Sequence, residues 1–396
     1  MPRNLWLIII GMVINVTGSS FLWPLNTIYL HNYLGKSLSI AGLVLMANAA
    51  ATVVGNLLGG ILFDKIGGFR SILVGAVTTM LALAGLTINH GWPMYFVWMI
   101  IIGFGSGLIF PSMYAMAGSV WKEGGRKAFN ALYVAQNVGV ALGSSLGGFI
   151  ASFSFDYIFL ANAIMYLAFF LLVVLTYKHI QTGEILPATA LPEQKPIKDM
   201  RKLYALMAVC AGYLLCWVGY VQWQSTISSY TQEIGISLKQ YSMLWTLNGV
   251  LIVAAQPFIN KVIHRFLKKV KIQMITGMVI FIGSFAIAAF AADFSGFIAA
   301  MVILTVGEML VWPAVPTIAD ELAPKGKEGF YQGVVNSTAT AGRMVGPILG
   351  GFLVDVYGMQ AMFMVLMILF VVAIGTTMLY DKILNAHKDK TFSEVK

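Results

Sequence analysis

Two ionisable residues stand deep inside long apolar stretches of this 396-residue chain: Glu308 in 297–319 and Arg343 in 329–354. An ionisable side chain at bilayer depth is costly and rare, so each marks a functional position. At ~1.5 Å of rise per residue, both fall near mid-membrane on consecutive helices, and they are expected to face a central cavity or each other. Low dielectric disfavours an ionised carboxylate and a neighbouring guanidinium favours it. Moving one partner against the other would therefore load or release a proton, and Glu308 with Arg343 is read as the proton-coupling pair. The alternative is a permanent buried ion pair that only fixes packing.

Uncharged polar and aromatic residues in other apolar stretches offer a substrate pocket. Asn15 and Asn26 lie in the first stretch, Tyr114 in the fourth, and Tyr133, Gln136 and Asn137 in the fifth. Gln222, Trp223 and Gln224 form the densest group, joined by Trp245, Asn248 and Trp312. Amides in an apolar span need partners, and amides flanking an indole suit an amphipathic or aromatic ligand. Each aromatic has a plainer role as packing or as an interfacial anchor, and the 22 methionines are read chiefly as lipid-facing packing.

Other chemistries lack their residues. Gly35-Lys36-Ser37 has Leu30 where a phosphate-binding loop needs its first glycine, so no ATP hydrolysis is expected. The five histidines sit at loops or span ends without ligand spacing, and no metal site or cofactor is expected. Cys210 and Cys216 point to different faces of one helix, so no intrahelical disulfide is expected. Asn15-Val-Thr17 fits a glycosylation pattern but is buried in a span.

Composition sets the frame for these residues. Hydrophobic residues make up 59% of the chain and charged residues 10%, less than half of the ~25% usual in soluble domains. That excludes a soluble globule, a disordered chain and a disulfide scaffold. It also excludes a nucleic-acid-binding protein, because the net charge of +9 is scattered over loops and forms no basic face. A membrane helix needs ~20 apolar residues, and twelve runs qualify: 5–30, 39–63, 71–89, 93–120, 128–153, 157–177, 203–231, 237–262, 272–292, 297–319, 329–354 and 359–380. The first lacks a small-x-small cleavage site and is expected to stay in the mature protein.

Of the 25 basic residues, Lys36 and Lys239 fall in one set of loops and Arg343 in a span, leaving 22 in the alternate loops. Retention of Lys and Arg on the cytoplasmic side then places both termini in the cytoplasm. The proline-bearing stretch 178–202 reads as a cytoplasmic linker between six-helix bundles at 1–177 and 203–380, with a short basic cytoplasmic tail at 381–396 that is either ordered or rests on anionic headgroups.

A repeat supports the two halves. Gly139-Val-Ala-Leu-Gly143-Ser144-Ser-Leu-Gly147-Gly148 in span five returns as Gly342-Arg343-Met-Val-Gly346-Pro347-Ile-Leu-Gly350-Gly351 in span eleven. Gly103, Gly105 and Gly107 with Pro111 in span four match Gly307 with Pro313 in span ten. Glycines four apart let helix backbones approach closely, and repeated six-helix halves around a midplane site are a transporter architecture.

With these features the chain resembles the Major Facilitator Superfamily. Gly60-Ile-Leu-Phe-Asp64-Lys65-Ile-Gly67-Gly-Phe-Arg70 looks like that family's loop signature Gly-x-Leu-Ala-Asp-Arg-x-Gly-Arg-Arg, and the span-five pattern looks like its antiporter motif Gly-x-x-x-Gly-Pro-x-x-Gly-Gly, with Ser144 in place of proline. The resemblance implies an all-α polytopic fold of twelve helices in two pseudo-symmetric bundles. It also implies that Asp64, with Gly60, Lys65, Gly67 and Arg70, acts as a cytoplasmic gate. The drug:proton antiporter branch usually carries a span-four arginine where Met99 and Ile100 stand here, and the loop Asn260-Lys261-Val-Ile-His264-Arg265 lacks the glycine and aspartate of its counterpart. Asp355 sits in a chance copy of the loop motif at the outer end of span eleven.

The expected function is proton-coupled secondary transport by alternating access, not enzymatic catalysis. It would export amphipathic drugs or lipophilic metabolites in exchange for protons, with the proton gradient as the sole energy source. Small-molecule substrate, protons and membrane lipids are the expected partners, nucleic acid is not, and a monomer in a bacterial cell membrane is the default. The alternative is a narrow transporter of a sugar, amino acid or organic anion, the last built on Arg343. A membrane-embedded enzyme or a receptor would need catalytic residues at the interface or a soluble domain.

Overall fold

A computed structural model describes residues 1–22, 26, 29–36, 38–151, 153–180 and 200–385. Most of the proposed linker and the tail beyond 385 lie outside the described residues, as does the expected span-one stretch at 23–25 and 27–28. Helices dominate the described residues, which contain no strand. They are α1 (Arg3–Leu22), α2 (Leu38–Ile66), α3 (Gly68–Ile88), α4 (Met94–Val120), α5 (Arg126–Ala151), α6 (Phe155–Thr176), α7 (Met200–Tyr220), α8 (Thr226–Glu233), α9 (Leu238–Phe266), α10 (Val270–Phe290), α11 (Phe294–Val311), α12 (Ala314–Leu322), α13 (Glu328–Tyr357) and α14 (Met359–Asn385). Ten helical stretches among the described residues are long and apolar enough to cross a membrane. The glycine-patterned α5 and α13 are also long, at 26 and 30 residues.

Many large apolar side chains along these helices are exposed, as with Leu81, Phe149, Leu175, Val279 and Ile348, while Asn15, Thr79, Ser112, Gln222, Ser284 and Glu308 are buried. This reverses the pattern of a water-soluble protein and suits a chain solvated by lipid.

Two expected spans are broken. Span seven stops at Tyr220, passes through a 3-10 turn at Val221–Trp223 and resumes as α8. Thr226 and Ser225 hydroxyls donate to Gln222 Oε1 at 2.8 and 3.3 Å, and such local side-chain bonds compete with the helical ladder. Span ten breaks between α11 and α12 at Trp312 and Pro313, where proline supplies no backbone N–H. Pro111, Pro257 and Pro347 stay inside continuous helices.

The chain divides into two compact units, Met1–Gln194 with Pro324–Thr340, and Lys195–Ala323 with Ala341–Lys396. The first turns of α13 therefore belong to the N-terminal unit. Each unit uses the repeated glycines in the same way. In the first, Gly139, Gly143 and Gly147 of α5 lie against α1 at Val16, Thr17 and Phe21. In the second, Gly342, Gly346 and Gly350 of α13 lie against α7 and the turn after it, at Trp217, Val218 and Gln222. Gly75 of α3 meets Gly105 of α4, and Gly277 of α10 meets Gly307 of α11. Lipid gives apolar helices little reason to associate, so backbone contact through small residues supplies packing.

Candidate substrate and proton site

Within the C-terminal unit, α7 presents Tyr213, Trp217 and Tyr220 at helical spacing on one face. Trp217 stacks on Trp312 with centroids 4.6 Å apart and planes at 7°. Tyr213 and Tyr220 meet Trp312 edge-on at 5.6 and 5.3 Å, and Trp245 of α9 meets Tyr220 at 6.2 Å. The Arg343 guanidinium lies 4.8 Å from the centre of the Trp217 ring, within cation–π range.

Glu308 occupies the last turn of α11, only 1% exposed. Its Oε1 accepts Asn248 Nδ2 at 2.6 Å and its Oε2 accepts the Trp312 indole N–H at 3.3 Å. Tyr220 also hydrogen-bonds the carboxyl group. Glu308 and Arg343 thus belong to one cluster, joined through the stacked indoles. Trp245 donates to Tyr241 Oη at 3.1 Å, and Tyr241 donates to the Trp223 carbonyl, which fixes the rim on α9.

Of the expected substrate residues, the structure brings Asn248, Trp312 and Trp245 to this cluster. Gln222 is fully buried, and its amide is used within the fold: Nε2 donates to the Val218 and Gly346 carbonyls at 2.9 and 2.7 Å. It braces α7 against α13. Trp223 turns the other way, edge-on to Phe285 and Phe297, and its indole N–H meets no acceptor among the described residues. Gln224 is half-buried and caps the 3-10 turn. Trp217 and Tyr213 were absent from the expected set, although aromatics at i, i+4 and i+7 in an apolar span carry a readable signal.

In the N-terminal unit, Tyr114 donates to Gln136 Oε1 at 3.2 Å and stacks on Phe129. Asn137 bonds back to the Tyr133 carbonyl at 2.9 Å, and Tyr133 is buried beside them on α5. Asn26 accepts from Tyr95 at 2.5 Å. Asn15 is fully buried, and neither atom of its amide meets a hydrogen-bond partner among the described residues.

The loop motif has its own geometry, also within the N-terminal unit. Asp64 Oδ1 accepts the Gly329 N–H at 2.8 Å and Oδ2 the Phe330 N–H at 2.9 Å, capping the start of α13. Anions at a helix N-terminus are favoured by its unpaired N–H groups and dipole. Gly60 lets the α2 backbone meet α13 at Gly329. Gly67 takes φ 84°, a conformation that favours glycine, between α2 and α3. Lys65 and Arg70 are exposed, as is Asp355 at the far end of α13.

Comparison with known proteins decides the family. The Major Facilitator Superfamily model matches residues 8–228 and 224–394. The chain belongs to the Major Facilitator Superfamily. It is 59% identical over 389 residues to the MFS-type transporter YttB of Bacillus subtilis (strain 168), covering 98% of each chain. It is 23% identical over 367 residues to the quinolone resistance protein NorA of Staphylococcus aureus (strain COL), covering 90% of this chain and 91% of that one. The crystal structure of the human organic anion transporter MFSD10 superposes with a TM-score of 0.77 over 95% of this chain and all of that one, at 14% identity. A POT family transporter in complex with 5-aminolevulinic acid gives 0.72 over 97% of each chain, at 17%. At such identities the structural likeness shows the fold. The protein is a multi-pass membrane transporter of this superfamily with bacterial relatives.

Proposed function

We propose that this transporter exports amphipathic or lipophilic compounds in exchange for protons, with Glu308 as the titrating site. One observation carries the reading: a buried carboxylate is held by Asn248, Trp312 and Tyr220 in a wall of stacked aromatics. Large flat rings bind flat apolar ligands with little loss of entropy, and an acid beside them favours a cationic ligand or a proton, but not both. Competition between the two is the elementary requirement of antiport. The similarity to a quinolone resistance protein supports the same substrate class. Asp64 would act as the cytoplasmic gate, the proton gradient would be the sole energy source, and the chain would work as a monomer with both termini in the cytoplasm.

A second reading has its own observation. Arg343 lies over the Trp217 ring and would suit an aromatic carboxylate. The test is efflux from proteoliposomes of cationic, neutral and anionic fluorescent compounds, with and without an imposed pH gradient. Gradient-driven movement of several cations supports export of amphipathic compounds. Movement of anions alone, lost in Arg343→Gln, transfers the function to the second reading.

A further inference from the structure

The two units place an asparagine at the same turn of equivalent helices, Asn48 in α2 and Asn248 in α9, which begin at Leu38 and Leu238. In the N-terminal unit Asn48 Nδ2 donates to the Met99 backbone carbonyl at 2.6 Å and ties α2 to α4. In the C-terminal unit Asn248 Nδ2 donates to two side chains of α11, Thr305 Oγ1 at 2.9 Å and Glu308 Oε1 at 2.6 Å. Because Gly105 and Gly307 occupy matching contacts, the counterpart of Glu308 in α4 is Ser106. Clamping two helices therefore requires only the asparagine, and the C-terminal unit turns that clamp onto a carboxylate.

The orientation of the amide is fixed. The Thr305 hydroxyl gives its hydrogen to the Met301 carbonyl at 2.8 Å, so it can only accept from Asn248, which must present N–H there. The same nitrogen then presents its second hydrogen to Glu308. A hydrogen bond donated to a carboxylate stabilises its charged form. Other groups that bear on Glu308 are Tyr220 from α7 and the Trp312 indole N–H, with Arg343 of α13 reached through the Trp217–Trp312 stack, while Tyr241 of α9 acts on Tyr220. The ionisable residue of α10, Lys271, is at its start, and Asp320 and Glu321 lie at the far end of α12.

We propose that Asn248 is a positioning residue that holds Glu308 and sets the pH at which it exchanges its proton. The proposal rests on the reading of Glu308 as the titrating site. The test is infrared difference spectroscopy of the purified full-length protein across pH, in which the protonated-carboxyl band lost in Glu308→Gln reports Glu308 directly. Asn248→Leu and Asn248→Ala, which remove the amide donor without adding a second acid, are each expected to move its midpoint to higher pH by about one unit or more, while Asn48→Leu leaves it in place. If Asn248→Leu fails to fold, Asn248→Ala decides. An unmoved midpoint in the folded Asn248 variants overturns the proposal, as does an equal shift in Asn48→Leu or the lack of any band lost in Glu308→Gln. Ethidium efflux on the same variants separates the two ideas. If the midpoint shifts but efflux ignores Glu308→Gln, the transport reading fails and the positioning role stands.

Discussion

Trp217 and Trp312, on α7 and at the break after α11, stack face to face with their ring centres 4.6 Å apart. The outer face of Trp217 carries the Arg343 guanidinium, and the indole N–H of Trp312 points at Glu308. An acid and a base on different helices are thus linked by two rings. Aromatic pairs contribute about 0.5–1.5 kcal/mol beyond their burial. A double-mutant cycle of Trp217→Ala and Trp312→Ala in detergent is expected to give a coupling energy in that range by denaturant unfolding, and additive effects would contradict the stack.

Asp64 takes two backbone N–H groups at the start of α13. Hydrogen bonds to a charged group contribute about 1.5–3 kcal/mol, so Asp64→Asn is expected to lower turnover by about tenfold or more. KM should change far less, because Asp64 lies outside the aromatic cluster. Initial rates over a substrate series check the split, and a change confined to KM would place Asp64 in binding.

The glycine contacts differ sharply along one pattern. A Cβ on Gly143 would run into the Thr17 carbonyl, whereas a Cβ on Gly351 meets nothing within 4 Å. Gly143→Ala is expected to destabilise by about 1–3 kcal/mol through overpacking. Gly351→Ala should stabilise by about 0.5–1 kcal/mol through helix propensity. Opposite shifts in thermal midpoint check this, and equal shifts would contradict the packing described.

Much of this was legible in the sequence for specific reasons. Glu308 and Arg343 stood out because charge in an apolar run is rare, and the structure brings them into one cluster. The repeated glycines announced close helix contacts because only small residues permit them. The break at Trp312 and Pro313 was not legible, since Pro111 at the matching place leaves α4 continuous. Gln222 read as a ligand group because an amide in an apolar span needs partners; its partners turn out to be the backbone of α13 and its own turn. Trp217 was less legible because its signal is not its residue type, common among the aromatics of a membrane helix, but its i, i+4, i+7 spacing with Tyr213 and Tyr220.

Asp293 caps α11 outside the apolar spans, accepting the Gly296 N–H at 3.0 Å and the Ser295 hydroxyl at 2.8 Å. These bonds, the Gly296 one foremost, hold its carboxyl below the ordinary aspartate value. A depressed carboxyl contributes stability above its unfolded value and loses it as pH falls through the folded one. The difference in thermal midpoint between wild type and Asp293→Ala should therefore be constant near neutrality and shrink in acid. A difference that persists unchanged in acid would contradict the capping role.

Proton exchange at Glu308 is tested most directly by loading proteoliposomes with a pH-sensitive dye and adding an amphipathic cation such as ethidium without any imposed gradient. Wild type is predicted to move protons opposite to the ethidium flux, and Glu308→Gln to abolish the proton movement. Ethidium-driven proton movement of equal size in Glu308→Gln would contradict the assignment of coupling to this residue.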